Sequence, residues 1–188
     1  MDIKKELENY IPYNEQEAAD KEMFLKALEL ENIFTRENIF AHFTATSFIF
    51  NKSKTKVLMI YHNTYDSWTW TGGHADGDKD LQNVAKKEAM EETGIDKLEI
   101  IDNKIFTIDA LTTNGHIKRG KYISSHLHLN ASFIFEADEK SKLKVKPDEN
   151  SGVKWIAIND LKNSVSEEYM LAVYQKILDK MKDLGYIK

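Results

Sequence analysis

GGHADGDKDLQNVAKKEAMEETGI, residues 72–95, is the stretch of sequence that decides the fold. It predicts a pair of glycines, a short polar loop, and a helix that starts at Asp80 and ends at Gly94. Gly94 suits the left-handed position that closes a helix, and Ile95 suits the apolar contact that follows it. The segment is therefore expected to join a strand to a helix through a loop without bulky side chains at its start.

The predicted helix carries glutamates on a face that should be apolar. Its inward stripe is centred on Leu81, and a helix turns by about 100° per residue. Glu88 and Glu92 fall about 20° to either side of Leu81, and Glu91 lies about 80° away, whereas Met90 is expected on the outward face. The three glutamates thus continue the apolar stripe instead of opposing it.

This arrangement is unfavourable without a cation. Glu88 and Glu92 repel each other at i,i+4 by roughly 0.2–0.5 kcal/mol, and acidic groups at a helix C-terminus oppose the helix dipole. Lys87 can reach Glu91, but one lysine does not balance three carboxylates. A hard divalent ion with oxygen ligands, Mg²⁺ or Mn²⁺, would balance them, which disfavours a merely solvated acidic helix end. The glycines at 72–73 would let the backbone approach such an ion.

The segment resembles the Nudix box: a Gly, five residues, a Glu, seven residues, then Arg-Glu-apolar-x-Glu-Glu-x-Gly-apolar. The spacing from Gly73 to Glu88 matches without a gap, and the Glu-Glu-Thr-Gly end at residues 91–94 is intact. Two positions depart from the pattern. Lys79 stands where the first Glu belongs, and Lys87 stands where the Arg belongs and lacks its planar fork.

The resemblance implies an α+β fold, the Nudix-type α/β/α sandwich with a mixed β-sheet. The chain is then expected to be one Nudix domain over residues 1–188. A helical extension would occupy residues 1–40, the Nudix core residues 42–160, and a C-terminal helix residues 161–188. The N-terminal helices are expected to cap the core or to contribute to a homodimer.

The resemblance also implies an activity, the hydrolysis of a diphosphate linkage in a nucleoside diphosphate-X or a related metabolite. The metal would be held by Glu88, Glu91, Glu92 and the carbonyl of Gly73, where it polarises phosphoryl oxygens and lowers the pKa of bound water. A carboxylate would accept the proton of that water. Glu91 within the box and Glu149 outside it are both candidates, and the sequence does not choose between them.

Two other functions remain as alternatives. Isopentenyl-diphosphate isomerase, a related fold member, places histidines in positions comparable to His42 and His74, but it needs a cysteine and this chain has none. A catalytically silent Nudix domain that senses a ligand or binds a partner would usually lose box glutamates, which this chain keeps. Both alternatives are therefore disfavoured relative to a hydrolase.

Four of the six histidines bracket the expected cleft. His42 precedes the first strand, His74 follows the glycine pair, and His126 and His128 alternate so that a strand would point both to one face. We expect them to line the cleft next to the glutamates, where they would bind a second, softer divalent ion or substrate phosphates. Separate structural histidines are the other interpretation.

The remaining elements follow from periodicity. Helices are expected in the first 40 residues, with Asn14 and Glu17 spaced as an N-cap and its returning carboxylate. Strands are expected at the ranges 43–50, 57–61, 68–70, 100–108, 127–137 and 153–158. An amphipathic helix with Ser166 as its N-cap is expected from Ser166 to Leu184.

Composition excludes several classes. The chain has 188 residues, a net charge of −5 and no cysteine, which rules out disulfides and thiol nucleophiles and argues against a binder of nucleic-acid polymers. No apolar run approaches the ~20 residues of a membrane span, and no secretory signal is visible, so a cytoplasmic protein with a small-molecule substrate is predicted. Base stacking on Trp68, Trp70 or Tyr122, and phosphate contacts from a basic cluster of Lys118, Arg119 and Lys121, are open alternatives to core packing and solvation.

Overall fold

A computed structural model describes residues 2–118 and 120–187 of the chain. The elements are α1 Ile3–Asn9, α2 Glu15–Ala27, β1 Ala41–Asn51, β2 Lys56–His62, β3 Ser67–Thr69, β4 Thr71–His74, α3 Leu81–Thr93, β5 Glu99–Ile100, β6 Thr107–Thr113, β7 His116–Lys118, β8 Lys121–Ile123, β9 His126–Ala137, β10 Asn150–Ala157, a 3₁₀ turn Ile158–Asp160, α4 Leu161–Ser164 and α5 Glu168–Asp183. Within these residues, no helix is both long enough and apolar enough to cross a bilayer. The predicted α+β class is confirmed.

The sheet is built around β1, which pairs on both of its edges. β9 runs parallel to β1 along its whole length. The other edge of β1 is shared: β4 pairs with residues 44–47 and β2 with residues 49–50, both antiparallel. β10 and β3 extend the sheet beyond β2, and β5 and β6 extend it beyond β9. This is the mixed sheet that the sequence predicted.

Side-chain alternation on β1 assigns the helices to the two faces of the sheet. Phe43, Ala45 and Ile49 pack in one core cluster with residues of α1, α2 and α3. Phe48 and Phe50 point to the other face and pack in a second cluster with α5. The three layers form the expected α/β/α sandwich.

The N-terminal helices cover the free edge of β6. Asp20 of α2 accepts a hydrogen bond of 2.9 Å from the Ala110 backbone N–H, which would otherwise lie on an open sheet edge. The predicted N-cap is confirmed, since the Asn14 side chain accepts from the Glu17 N–H at 2.9 Å. The Glu17 carboxylate accepts from the backbone N–H of Tyr13 and lies 3.2 Å from the ammonium group of Lys176 in α5.

Four sequence expectations are wrong in detail. No single strand spans residues 100–108, because the polar residues at 102–104 separate β5 from β6. The strand at 68–70 ends one residue early, where the Trp70 N–H donates to the Tyr174 hydroxyl. Glu167, not Ser166, is the residue before α5, because the Ser166 hydroxyl donates to the Asp66 carbonyl. Met90 is not fully outward, since it packs in part against the core.

Candidate active site

Local capping positions the acidic helix α3. The Asp80 side chain accepts from the Asn83 N–H at 3.2 Å, and Gly94 ends the helix in the left-handed region with φ of 72°. Both predicted ends are thereby confirmed. Lys79, at the position of the family's first Glu, lies with its ammonium group 5.6 Å from the centroid of the Phe34 ring. Lys79 therefore packs on the Phe34 ring and lies outside the cluster of box glutamates.

Glu88 lies against the backbone of β4. A Cβ built on Gly73 would be 2.6 Å from Cδ and 2.8 Å from Oε1 of Glu88, so only glycine leaves room for this carboxylate. Burial raises the pKa of Glu88, and the charges of Glu91 and Glu149 act in the same direction, while the charge of Lys146 opposes them. The close approach places a carboxylate oxygen beside the backbone of Gly73, as the box predicts.

Glu92 is buried, with 3% of its surface exposed. Its Oε2 accepts a hydrogen bond of 3.0 Å from the Gly72 N–H. Burial raises the pKa of Glu92 to about 8; the Gly72 hydrogen bond opposes this shift, and the charges of Glu149 and Glu88 add to it. A nearby cation stabilises the ionised form of such a buried carboxylate.

The structure adds Lys146, which the sequence analysis missed. Its ammonium group lies 3.0 Å from Oε2 of Glu149 and 3.5 Å from Oε2 of Glu91, so it bridges the two carboxylates proposed as bases. Burial lowers the pKa of Lys146, but the hydrogen bond and charge of Glu149 and the charges of Glu88 and Glu91 outweigh it, so that the pKa is raised. Nothing in the lysine-rich run at residues 140–146 distinguishes this lysine from its solvated neighbours.

Asn150 fixes the loop that carries Glu149. Its side-chain amide donates to the Glu92 backbone carbonyl at 3.0 Å, and its Oδ1 accepts from the Lys146 N–H at 3.3 Å. The Glu149 carbonyl also accepts from the Asn63 N–H at 3.0 Å. These bonds hold the start of β10 against the C-terminal end of α3, so a residue from a distant part of the chain joins the box glutamates.

The donor set fits a hard divalent cation. Glu88 and Glu92 present carboxylate oxygens beside Gly72 and Gly73, with Glu91 one turn away on the same helix. Mg²⁺ and Mn²⁺ prefer such oxygen ligands, and a dication would relieve the raised pKa values of Glu88 and Glu92. Lys87 compensates little of the negative charge of the three carboxylates, since its contact with Glu91 is 3.9 Å long and exposed.

The four predicted histidines converge. Their ligand atoms, one from each of His42, His74, His126 and His128, all lie within 4.8 Å of one another. The Nε2 atom of His128 is 3.2 Å from that of His74 and 3.1 Å from that of His126. The His42 ring lies 4.8–5.1 Å, centroid to centroid, from the other three rings. The alternative of four separate structural histidines is not what the fold shows.

The histidines and the glutamates lie on opposite faces of β4. A Cβ on Gly73 would point at Glu88, so the next side chain, that of His74, points to the other face. β1 shows the same division, because Ser47 donates to the Ala85 carbonyl of α3 while the even-numbered His42 points away. The sheet therefore separates the four histidines from the glutamates, and the histidines do not line the cleft next to the glutamates as expected.

Burial favours the neutral form of the inner rings. It lowers the pKa of His128 to about 3, and the charges of His42 and His126 act in the same direction. Burial also lowers the pKa of His42, against a hydrogen bond to the Asn38 carbonyl that raises it. Neutral imidazoles are donors to metal ions and poor partners for phosphate, so the phosphate alternative loses its physical basis at these two rings.

The aromatic candidates for base stacking divide into different environments. Trp70 is buried in the core against Tyr174, at 5.3 Å between ring centroids. Trp68 is half-buried and lies under the Lys154 ammonium group, 4.1 Å from its ring. Tyr122 is exposed on the β7–β8 hairpin. Of the basic cluster beside it, Arg119 and the Lys118 side chain lie outside the described residues.

The comparison with family models identifies the chain. The NUDIX domain model matches residues 41–178, which is most of the chain. The chain belongs to the Nudix family. This is the pyrophosphohydrolase class that the box indicated, and the match begins where β1 begins and includes most of α5. The comparison with curated proteins finds no match.

Solved Nudix structures share the fold. A NUDIX-family hydrolase from Clostridium perfringens is 22% identical, with a TM-score of 0.53 over 73% of this chain and 96% of that one. The Ap4A hydrolase of C. elegans is 19% identical, with a TM-score of 0.52 over 75% and 98%. RenU, a Nudix hydrolase from M. smegmatis, is 13% identical, with a TM-score of 0.54 over 79% and 91%. At these identities the likeness concerns the fold.

Proposed function

We propose that this Nudix protein hydrolyses a diphosphate linkage with the help of Mg²⁺ or Mn²⁺. The observation that carries the proposal is the inward placement of two carboxylates, Glu88 against Gly73 and Glu92 on the Gly72 N–H. A buried glutamate whose pKa is raised to about 8 lowers the stability of the metal-free protein at neutral pH. Such a residue is a candidate for a functional role. Holding a divalent ion at the substrate's phosphates is that role.

The residues that would hold the ion are Glu88, Glu91, Glu92 and the Gly73 carbonyl. A bound dication supplies Lewis-acid polarisation of the phosphoryl oxygens and a lower pKa for coordinated water. Glycine at position 73 leaves space for the Glu88 carboxylate, and the Gly72 N–H orients the Glu92 carboxylate. The chain thus prepares the ligand positions before substrate arrives.

We propose that Glu149 is the general base. Glu91 is the alternative, and the test below distinguishes the two residues. Glu149 lies across from α3, outside the box that supplies the metal ligands, and Lys146 holds its carboxylate at 3.0 Å. The charges of Glu88 and Glu92 are close enough for Glu149 to affect the pKa of both. A carboxylate that lies near the proposed metal ligands but does not itself bind the metal is suited to remove a proton from water.

The substrate class is a nucleoside diphosphate linked to a further group, or a related diphosphate metabolite. The C. elegans neighbour is an Ap4A hydrolase, a name that fits this class, although the likeness to it concerns the fold. Of the aromatic side chains predicted to stack on a base, Trp70 is part of the core, Trp68 is half-buried against the α5 side of the sheet, and Tyr122 is exposed. No step of the proposed chemistry depends on which nucleoside is bound.

The test is a screen of pyrophosphate-containing metabolites with purified protein, with and without Mg²⁺. Glu88→Gln and Glu92→Gln should each lower turnover by about two orders of magnitude or more, since each removes several kcal/mol of transition-state stabilisation. Glu22→Gln, at an exposed position of α2, is the matched control and should retain full turnover. Full activity in both box variants would contradict the metal assignment.

Glu149→Gln and Glu91→Gln separate the two candidate bases. If Glu149 is the base, its variant should lose most of kcat at unchanged Mg²⁺ affinity, because the amide cannot accept the proton. Glu91→Gln should weaken Mg²⁺ binding instead. The reverse pattern assigns the base to Glu91, and failure of metal-loaded protein to cleave any diphosphate would favour a ligand sensor.

A further inference from the structure

We propose that His42, His74, His126 and His128 form a second metal site, selective for a borderline transition-metal ion of the Zn²⁺ type and separate from the glutamates. This inference does not depend on the proposed hydrolysis. It rests on where the Nε2 atoms lie, on which ring nitrogens already carry hydrogens, and on the strands that bring the rings together.

The distances suit a tetrahedral ion. Zn–N bonds of about 2.0–2.1 Å place two nitrogen ligands about 3.3–3.4 Å apart at the edge of a tetrahedron. The Nε2 atom of His128 lies 3.2 Å from that of His74 and 3.1 Å from that of His126. The full set lies within 4.8 Å, so the widest gap needs to close by about 1.4 Å, which a modest rotation of one ring provides.

Two of the four rings use their Nδ1 hydrogens in bonds to backbone carbonyls. His126 Nδ1 is 2.8 Å from the Ser124 carbonyl, and His42 Nδ1 is 3.2 Å from the Asn38 carbonyl. A carbonyl only accepts, so both Nδ1 atoms carry the hydrogen and the neutral rings present Nε2 lone pairs. Backbone carbonyls commonly orient metal-binding histidines in this way.

The cluster has too few hydrogens to satisfy its own lone pairs. His128 Nε2 lies between His74 Nε2 and His126 Nε2, and a single hydrogen on it can serve only one of them well. His42, of which 4% is exposed, has a buried Nε2 atom without a hydrogen-bond partner in the described part of the chain. One cation at the centre would satisfy these lone pairs together.

The donor type selects the ion. Four imidazoles without a carboxylate suit Zn²⁺, Cu²⁺ or Ni²⁺, whereas Mg²⁺ prefers oxygen ligands such as the glutamates on the other face of β4. An ion here would join β1, β4 and β9 at one end of the sheet, because the ligands come from all three strands. Since His74 follows Gly73, the ion would also bind the strand that carries the predicted Mg²⁺ ligand.

The experiment is a Co²⁺ titration of the full chain, purified without a histidine tag and stripped by a chelator. Excess Mg²⁺ is present throughout to saturate the oxygen ligands. We expect one equivalent of Co²⁺ with the intense visible absorption of tetrahedral coordination, displaced by Zn²⁺. Zn²⁺ at about 100 times its Kd should raise the thermal midpoint by about 5–10 °C.

Variants locate the ion. His74→Gln and His126→Gln should each weaken Co²⁺ binding by about 100-fold, with unchanged far-ultraviolet circular dichroism. Glu88→Gln and Glu92→Gln should leave the tetrahedral signal intact, as should His62→Gln, whose ring lies on β2 away from the cluster. Both histidines chosen are half-buried, so their substitution disturbs packing less than a change at His42.

Three outcomes would overturn the proposal. The first is a wild-type protein that binds no stoichiometric Co²⁺ or Zn²⁺ in excess Mg²⁺. The second is a weak octahedral signal that disappears in the glutamate variants. The third is unchanged binding in both histidine variants. The wild-type spectrum tests the proposal by itself if a variant fails to fold, and none of these results bears on whether a diphosphate is cleaved.

Discussion

The carboxylate of Glu88 lies where a side chain on Gly73 would have to be. A Cβ at that position would come within 2.6–2.8 Å of the Glu88 side chain, although the backbone around it needs no left-handed conformation. The glycine is therefore required for the approach of the Glu88 carboxylate and not for a turn. Sequence spacing paired these two residues, and the structure supplies the contact that explains the pairing.

Gly73→Ala should reduce activity without unfolding the protein. The new methyl group meets the far end of a flexible side chain, so Glu88 moves away and turnover falls by about tenfold or more. Gly72→Ala is the contrasting variant, because its methyl group would meet the Ala45 carbonyl at 2.5 Å and must displace backbone. Kinetics and thermal unfolding of both distinguish the cases, and a loss of stability at Gly73 equal to that at Gly72 would contradict this account.

Lys146→Met should tighten Mg²⁺ binding. The ammonium group competes with a divalent ion for the Glu91 carboxylate, and its removal should lower the Kd for Mg²⁺ about two- to fivefold, as expected for a partly exposed charge. Calorimetric titration measures the change, and Lys144→Met, an exposed neighbour, is the control. Weaker Mg²⁺ binding in Lys146→Met would show instead that the lysine organises the carboxylates.

Lys176→Met should be strongly destabilising. The buried ammonium group of Lys176 lies 2.7 Å from Asp109 and 3.2 Å from Glu17, and it donates at 2.8 Å to Gln16. Removing one partner from a buried ion pair costs about 3–5 kcal/mol, and here the change takes the lysine away from Asp109, while Glu17 keeps the Lys180 ammonium group at 3.8 Å. Urea unfolding gives the free energy, and Lys182→Met on the exposed face of α5 should change it by less than about 0.5 kcal/mol. Equal values for the two variants would contradict the prediction.

Deleting residues 1–38 should cost more stability than Lys176→Met. The deletion removes Glu17 from Lys176 and exposes the edge of β6 that Asp20 covers, so self-association through that edge is expected. Light scattering after size exclusion and thermal unfolding measure both effects. A monomeric deletion protein with an unchanged midpoint and full activity would show that the segment is neither a cap nor a dimer element.

The box helix could be predicted because its signals are local. Asp80 and Gly94 cap a segment of 13 residues, and the inward direction of Glu88 and Glu92 follows from helical periodicity alone. Lys146 could not be predicted, since it meets Glu91 across 55 residues of sequence, and a surface lysine and a buried one look alike in a lysine-rich run. The break between β5 and β6 was missed because Ile100, Ile101 and Ile105 mimic a continuous apolar strand.

The histidines show where the two sources of information meet. The sequence by itself determined that His126 and His128 share a face of one strand, because a strand alternates with a period of two. Only the tertiary structure decided that His42 lies beside His128 in the parallel β1–β9 pair and that His74 sits opposite Thr44 in the antiparallel β1–β4 pair. Strand register depends on contacts between residues far apart in sequence, so the sequence alone does not determine it. The register of β1 with β4 and β9 brings the four rings together, and it places the sheet between these rings and the glutamates.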